Sequence, residues 1–235
     1  MISILIPCYN EAPIIRKTYI EIKKEIEKTA QAYEIIFADD GSTDATGKIL
    51  RTIAALDKHV KLIEYYPNRG LGHAYRSLYK MGQGEILIQM DADLSMKPDI
   101  FKKFLEEIKY FDVVVASRYA GQKSTRQPLH RYLLSRMYNM LNRILFGITV
   151  KDTQSGFIAF RRKVIDSICL YSNRWEVHIE LFYKIKKNNF RVKEMPAEYM
   201  HRSSGSKFNV LTDGLATLIK TIILFWEITM AEKTA

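Results

Sequence analysis

The sequence predicts an α/β fold with a mostly parallel central sheet flanked by helices. Two observations carry that prediction. The first half alternates short apolar runs with amphipathic helical patterns, and two of those runs close on paired acids. Strand, helix, strand at this spacing is the signature of parallel strands joined by helical crossovers.

The elements follow in order. Ile2–Ile6 reads as a buried first strand, and Pro7 stiffens its exit. A helical pattern runs over about Ala12–Thr29, followed by a strand at Glu34–Ala38. The next helix spans about Thr43–Leu56, with Ser42 or Thr43 and Asp44 offering capping oxygens. Strands at Val60–Glu64, Glu85–Gln89 and Asp112–Ala116 enclose helices at about Gly72–Lys80 and Lys97–Lys109. Pro98 suits the first turn of the latter. Beyond Arg118 the rhythm changes. Pro128–Phe146 is one long helix carrying Arg131, Arg136 and Arg143. Then come a strand at Phe157–Arg161, a helix at Glu176–Lys187, a strand at Phe190–Glu194, a loop at His201–Ser206 and a last helix from about Thr212 to Met230. Residues 1–210 are expected as one domain, with 211–235 an amphipathic helix and tail packed on it or lying at a membrane surface.

A chain of 235 residues builds one sizeable core, and 47% hydrophobic with 26% charged residues is a folded composition. The net charge of +10 asks for an anionic partner: nucleic acid, a membrane surface or a phosphorylated substrate. Cys8 and Cys169 are too few for a disulfide framework and form no CxxC pair, which favours a reducing, cytoplasmic setting. Met1 leads straight into the first strand with no basic segment before it, so no signal peptide is expected. Lys220 and Glu227 interrupt the last apolar segment, which falls short of a membrane span.

The chemistry concentrates at strand ends. Asp91 and Asp93 follow the run Ile86–Leu87–Ile88, and on an extended chain residues i and i+2 point to one side. Two close carboxylates repel unless a cation sits between them, and a hard divalent ion carrying phosphate oxygens fits. Asp39 and Asp40 close the second run in the same way, on opposite faces if the strand persists, so that one touches ligand and the other caps the turn. Either pair alone is also a common turn or cap arrangement. Tyr9 is placed to cover a flat group, and Glu11 to accept from hydroxyls. Gly70 and Gly72 suggest a phosphate cradle without the spacing of a P-loop, and turn geometry alone also accounts for them. Asp152 brings a further carboxylate before a strand, and Glu176 with Trp175 and His178 lines the pocket or forms salt bridges. Arg118, Arg131, Arg202 and Lys207 lie in polar contexts suited to phosphate. No zinc cluster or Cys/His nucleophile arrangement is present.

These stretches resemble glycosyltransferase family 2, enzymes of GT-A fold that use nucleotide-diphospho-sugars. The likeness lies in Pro7–Cys8–Tyr9–Asn10–Glu11, Asp39–Asp40–Gly41–Ser42–Thr43–Asp44, Gly70–Leu71–Gly72–His73–Ala74–Tyr75, Met90–Asp91–Ala92–Asp93–Leu94–Ser95 and Ser117–Arg118–Tyr119. It covers nearly the whole chain and is greatest toward dolichol-phosphate mannose synthases and related polyprenyl-phosphate glycosyltransferases. The resemblance implies a metal-dependent hexosyltransferase. Pro7, Tyr9, Glu11, Asp39 and Asp40 would surround the nucleoside, and Gly70, Gly72 and Ala92 would line the donor site. Asp91 and Asp93 would hold Mg2+ or Mn2+ with the diphosphate. Arg118 would approach a phosphate, and Arg131 would take the lipid phosphate. Arg202, Ser206 and Lys207 would close over the diphosphate. The implied donor is GDP-mannose or UDP-glucose, and the implied acceptor is a polyprenyl phosphate. Transfer to a sugar hydroxyl is the alternative, with Asp152 or Glu176 as base. The implied setting is the cytoplasmic face of a membrane, through an anionic surface or a membrane partner protein. The basic balance is then accounted for without nucleic acid.

Overall fold

The computed structural model describes residues 1–121, 129–200 and 212–234, with backbone alone at 129–131, 212–213 and 231–234. Its centre is a seven-stranded sheet in the order β3-β2-β1-β4-β6-β5-β7. The strands are β1 (Ile2–Cys8), β2 (Tyr33–Asp40), β3 (Val60–Tyr65), β4 (Ile86–Gln89), β5 (Val113–Ser117), β6 (Ile158–Arg161) and β7 (Val192–Pro196). The helices are α1 (Ile15–Glu27), α2 (Thr46–Leu56), α3 (Leu71–Met81), α4 (Phe101–Glu107), α5 (Leu129–Phe146), α6 (Arg162–Asp166), α7 (Val177–Lys187) and α8 (Thr212–Thr234). Only β6 runs antiparallel to its neighbours β4 and β5. The mostly parallel sheet flanked by helices is the architecture the alternating sequence predicts.

Strand residues alternate between two cores, as a period of two requires. Ile4, Ile6, Phe37, Ile88 and Val114 face the cluster built with α1, α2 and α4. Leu5, Ile36, Leu87, Val113 and Phe160 face the cluster built with α3, α7 and α8. Both faces of the sheet are therefore covered, which is why its strands read as continuous apolar runs.

Local chemistry moves several predicted boundaries. Thr46, not Thr43, opens α2, because Asp44 Oδ1 accepts from the Thr46 backbone N–H at 2.9 Å. Ser42 and Thr43 bond instead to Asn10, tying the turn after β2 to the loop after β1. Pro98 starts a single 3₁₀ turn, Pro98–Ile100, ahead of α4. The short α6 was not expected.

At the far end of the sheet Asp57 gathers Lys23 Nζ and Tyr19 Oη, each at 2.7 Å, and the His59 N–H at 2.9 Å. Burial raises its pKa, but these donors outweigh burial and hold the carboxyl well below the usual range. A carboxylate depressed on folding stabilises the fold above its unfolded pKa and loses that contribution as pH falls. The melting temperature should therefore drop on acidification below about pH 4–5, and Asp57→Asn should flatten that part of the profile. An unchanged acid limb in the variant would remove Asp57 from the account.

Candidate active site

The crevice opens where strand order reverses, between the carboxyl ends of β1 and β4, the position at which open α/β sheets bind ligands. Pairing of β1 with β4 stops at Leu5↔Gln89, while β1 continues beside β2 to Cys8. Leu5 O still accepts from Met90 N at 3.1 Å. Pro7, two residues on, lies where no β4 partner remains, so its missing N–H breaks no ladder. Beyond it Tyr9 is 41% exposed and Glu11 is buried.

The acid pair does not ride on a strand as the sequence suggests. β4 ends at Gln89, and Ala92–Asp93 form a turn. Asp93 Oδ1 accepts from Ser95 N at 2.9 Å, and Leu94 between them has φ of 55°. A bulky residue in the left-handed region marks a constrained turn beside the crevice. Asn10, across the crevice, has φ of 53°.

Burial, then the charge of Asp93, raises the Asp91 pKa to about 7, with Glu11 and Asp152 adding to it and Arg118 opposing it. A second negative charge is therefore costly here, and a divalent cation removes that cost. Among the described residues no group of three His, Cys, Asp or Glu is placed to hold a metal unaided. Two carboxylates completed by phosphate and water oxygens match the way Mg2+ is usually bound. The donor set fits the cation that the resemblance implies.

Gly156, which the sequence reading passed over, seats Asp91. A Cβ there would lie 2.5 Å from both Asp91 carboxylate oxygens. Gly156→Ala should displace the carboxylate and weaken metal-dependent nucleotide binding by roughly tenfold or more. Titration of nucleoside diphosphate with and without Mn2+ checks it, and unaltered metal dependence would contradict it.

Arg118, just after β5, and Asp152, ahead of β6, form a second pair. Arg118 Nε donates to Asp152 Oδ2 at 2.8 Å and Nη2 to Oδ1 at 2.6 Å, and the Arg118 backbone N–H adds a bond of 3.0 Å. Asp152 is fully buried. Burial works against the guanidinium charge, but Asp152 outweighs it and drives the Arg118 pKa up. The guanidinium also lies over the rings of Tyr119 and Tyr199, at 5.3 and 5.4 Å. Asp152 was a candidate base, with Glu176, only for the alternative transfer to a sugar hydroxyl. With both oxygens taken by Arg118 it is arranged to hold that side chain.

Other assignments change in the same way. Asp40 does not face the crevice: its oxygens accept from Asn68 Nδ2, Arg69 N and Gly70 N at 2.7–2.9 Å, pinning the loop after β3. Asp39 Oδ1 accepts from Ser42 N at 3.0 Å. Gly70 and Gly72 are no open phosphate cradle. The backbone of Ser172 and Asn173 packs where their side chains would be, and Gly72 N donates to Asn173 O at 2.9 Å. Gly70 also has φ of 93°, which only glycine adopts readily. Glu176 is buried at the start of α7, with Oε1 accepting from Arg174 N at 3.3 Å and 4.0 Å from Lys220 Nζ. His178, also buried, has its pKa lowered to about 4, chiefly by burial, and stays neutral behind Tyr75 at physiological pH. Arg131 is described as backbone within α5, and Arg202, Ser206 and Lys207 lie outside the described residues.

The family model "Glycosyl transferase family 2" matches residues 3–169. Among curated relatives, glycosyltransferase AglD of Haloferax volcanii is 26% identical over 97% of this chain and 38% of its own length. Dolichol-phosphate mannosyltransferase of Pyrococcus furiosus is 31% identical over 87% of this chain and 58% of its own length. The chain thus spans about half the length of these relatives. In fold it is similar to glucosyl-3-phosphoglycerate synthase from Mycobacterium tuberculosis, solved with Mn2+, uridine-diphosphate and phosphoglyceric acid. The TM-score is 0.70 at 18% identity, covering 96% of this chain and 77% of that one.

Proposed function

From the premise that the chain belongs to glycosyltransferase family 2, we propose that it transfers mannose or glucose from a nucleotide-diphospho-sugar to a polyprenyl monophosphate, with inversion. The nucleoside lies along Pro7, Tyr9, Glu11 and Asp39. Asp91 and Asp93 hold Mg2+ or Mn2+, which when bound neutralises the diphosphate as it leaves. Arg131 takes the lipid phosphate, and Arg202, Ser206 and Lys207 close over the diphosphate. Residues 1–210 are the catalytic domain, and the final helix brings it to the cytoplasmic face of a membrane.

The observation that carries the choice of acceptor is the Arg118–Asp152 pair. A sugar hydroxyl normally needs a carboxylate base, whereas a phosphate monoester is already ionised near neutral pH. Asp152 has both oxygens engaged by Arg118, while Glu176 is buried with Oε1 accepting from Arg174 N and, among the described residues, only Oε2 left without a partner. The enzyme's work is then alignment and stabilisation of charge on the leaving group. The name of the Pyrococcus relative supports the same acceptor.

The test is transfer of labelled sugar from GDP-mannose or UDP-glucose to a short polyprenyl phosphate in detergent, with Mg2+ or Mn2+. Incorporation from one donor, lost on chelation, is expected. Labelling of a glycan hydroxyl with no lipid-phosphate product would overturn the acceptor.

A further inference from the structure

We infer that Tyr199 is a positioning residue: it fixes the Arg118 guanidinium at a set reach from the turn that carries Asp91 and Asp93. This deepens the proposed function and rests on it for the reaction whose phosphates those groups meet.

The short segment after β7 joins two parts of the site. At its start Ala197 N donates to Ser117 O at 3.0 Å, and Ser117 is the last residue of β5, next to Arg118. Further on, Tyr199 forms an antiparallel bridge with Met96, and Met200 N donates to Ser95 O at 2.9 Å. Ser95 N in turn donates to Asp93 Oδ1. Main-chain attachments at Ala197 and Met200 therefore tie the end of β5 to the acid turn. Three residues of chain reach at most about 11 Å, so this strut leaves the two parts little freedom to separate.

Tyr199 stands between these attachments, and its ring lies against the guanidinium, with 5.4 Å from the Arg118 carbon to the ring centroid. The ring is also packed against the core that contains Met96 and Ala197, so Arg118 is not what holds it in place. Asp152 takes Nε and Nη2 and fixes the guanidinium within its own plane. It does little against tilting out of that plane. An aromatic ring supplies that restraint, because a cation is attracted over the flat of the ring.

Tyr119 lies at a similar distance but follows Arg118 in the chain and is committed to α5. Arg136 lies over its ring at 5.3 Å, and its hydroxyl shares a 2.6 Å bond with Ser135 Oγ. Tyr199 is the ring that relates Arg118 to the acid turn. In a reaction that proceeds by alignment, a displacement of about 1 Å costs on the order of 10²-fold in rate.

Tyr199→Leu and Tyr199→Phe test this. Leucine keeps the main-chain bridge and removes the ring, so Mn2+-dependent affinity for GDP or UDP should stay within about twofold of wild type. In the same variant kcat/KM for a short polyprenyl phosphate should fall by about tenfold or more, and phenylalanine, which keeps the ring, should restore it. A second readout needs no turnover. Tyr199→Leu should lower the melting temperature by about 2–4 °C in wild type. The drop should be less than half as large in an Arg118→Met/Asp152→Asn background, where the guanidinium is gone. Equal drops in both backgrounds overturn the link to Arg118. An unchanged kcat/KM in the leucine variant, a phenylalanine variant as poor as leucine, or an equal loss of nucleotide affinity overturns the positioning role. Absence of transfer by wild type would instead overturn the proposed reaction, and the unfolding comparison still decides the link.

Discussion

Asp91→Asn is expected to lower turnover by about 10²–10³-fold while leaving the melting temperature unchanged or raised. The two effects separate because the carboxylate is badly placed for stability. Burial and Asp93 push its pKa to about 7, so the folded protein holds this charge at a cost. Asparagine keeps the shape against Gly156 and removes the repulsion, which relieves the apo protein. It also removes a ligand from a pair that has no third protein carboxylate in reserve among the described residues. Residual activity independent of metal, or a large fall in melting temperature, would contradict this.

Asp152→Asn should cost about 3–5 kcal/mol of stability, because it leaves the Arg118 guanidinium buried without its charge partner. The Arg118 side chain is 13% exposed and that of Asp152 is 0% exposed, so solvent cannot take over the pairing. Substituting both, as Arg118→Met with Asp152→Asn, should recover much of the loss, since no unpaired charge remains. It should not recover activity, because the guanidinium is absent from the crevice. Urea unfolding of the two single variants and the double one measures the coupling. A single-variant cost under about 1 kcal/mol would mean that the pair is not buried in solution.

Much of this was legible in the sequence because parallel strands buried on both faces write themselves as apolar runs. Ile2–Ile6 and Glu85–Gln89 are located that way, and Asp91 and Asp93 just beyond the latter mark the crevice. What stayed hidden depends on contacts between distant segments. The sequence left open which of Asp39 and Asp40 caps a turn, and only the contacts of Asn68, Arg69 and Gly70 assign that role to Asp40. Gly72 looked like a phosphate cradle, yet it is glycine because the Ser172–Asn173 backbone covers it. Gly156 gave no signal, since nothing local says that a carboxylate will rest against it. Arg118 and Asp152 were each singled out, but their pairing across 34 positions of sequence was not readable. The last helix is a mixed case. Lys220 and Glu227 leave it short of the apolar length that crossing a membrane needs, whereas its burial of threonines and exposure of isoleucines appears only with α5 beside it.

The central claim is that the crevice beside β1 and β4 holds a nucleoside diphosphate through Asp91, Asp93 and a divalent cation. Calorimetric titration of GDP and UDP into the full chain, with Mn2+ and then with chelator, tests it most directly. The account predicts that one nucleotide binds with Mn2+ present, that chelation weakens binding by at least about tenfold, and that Asp91→Asn loses the metal's contribution. Equal affinity with and without metal, or an Asp91→Asn variant that responds to Mn2+ as wild type does, would contradict it.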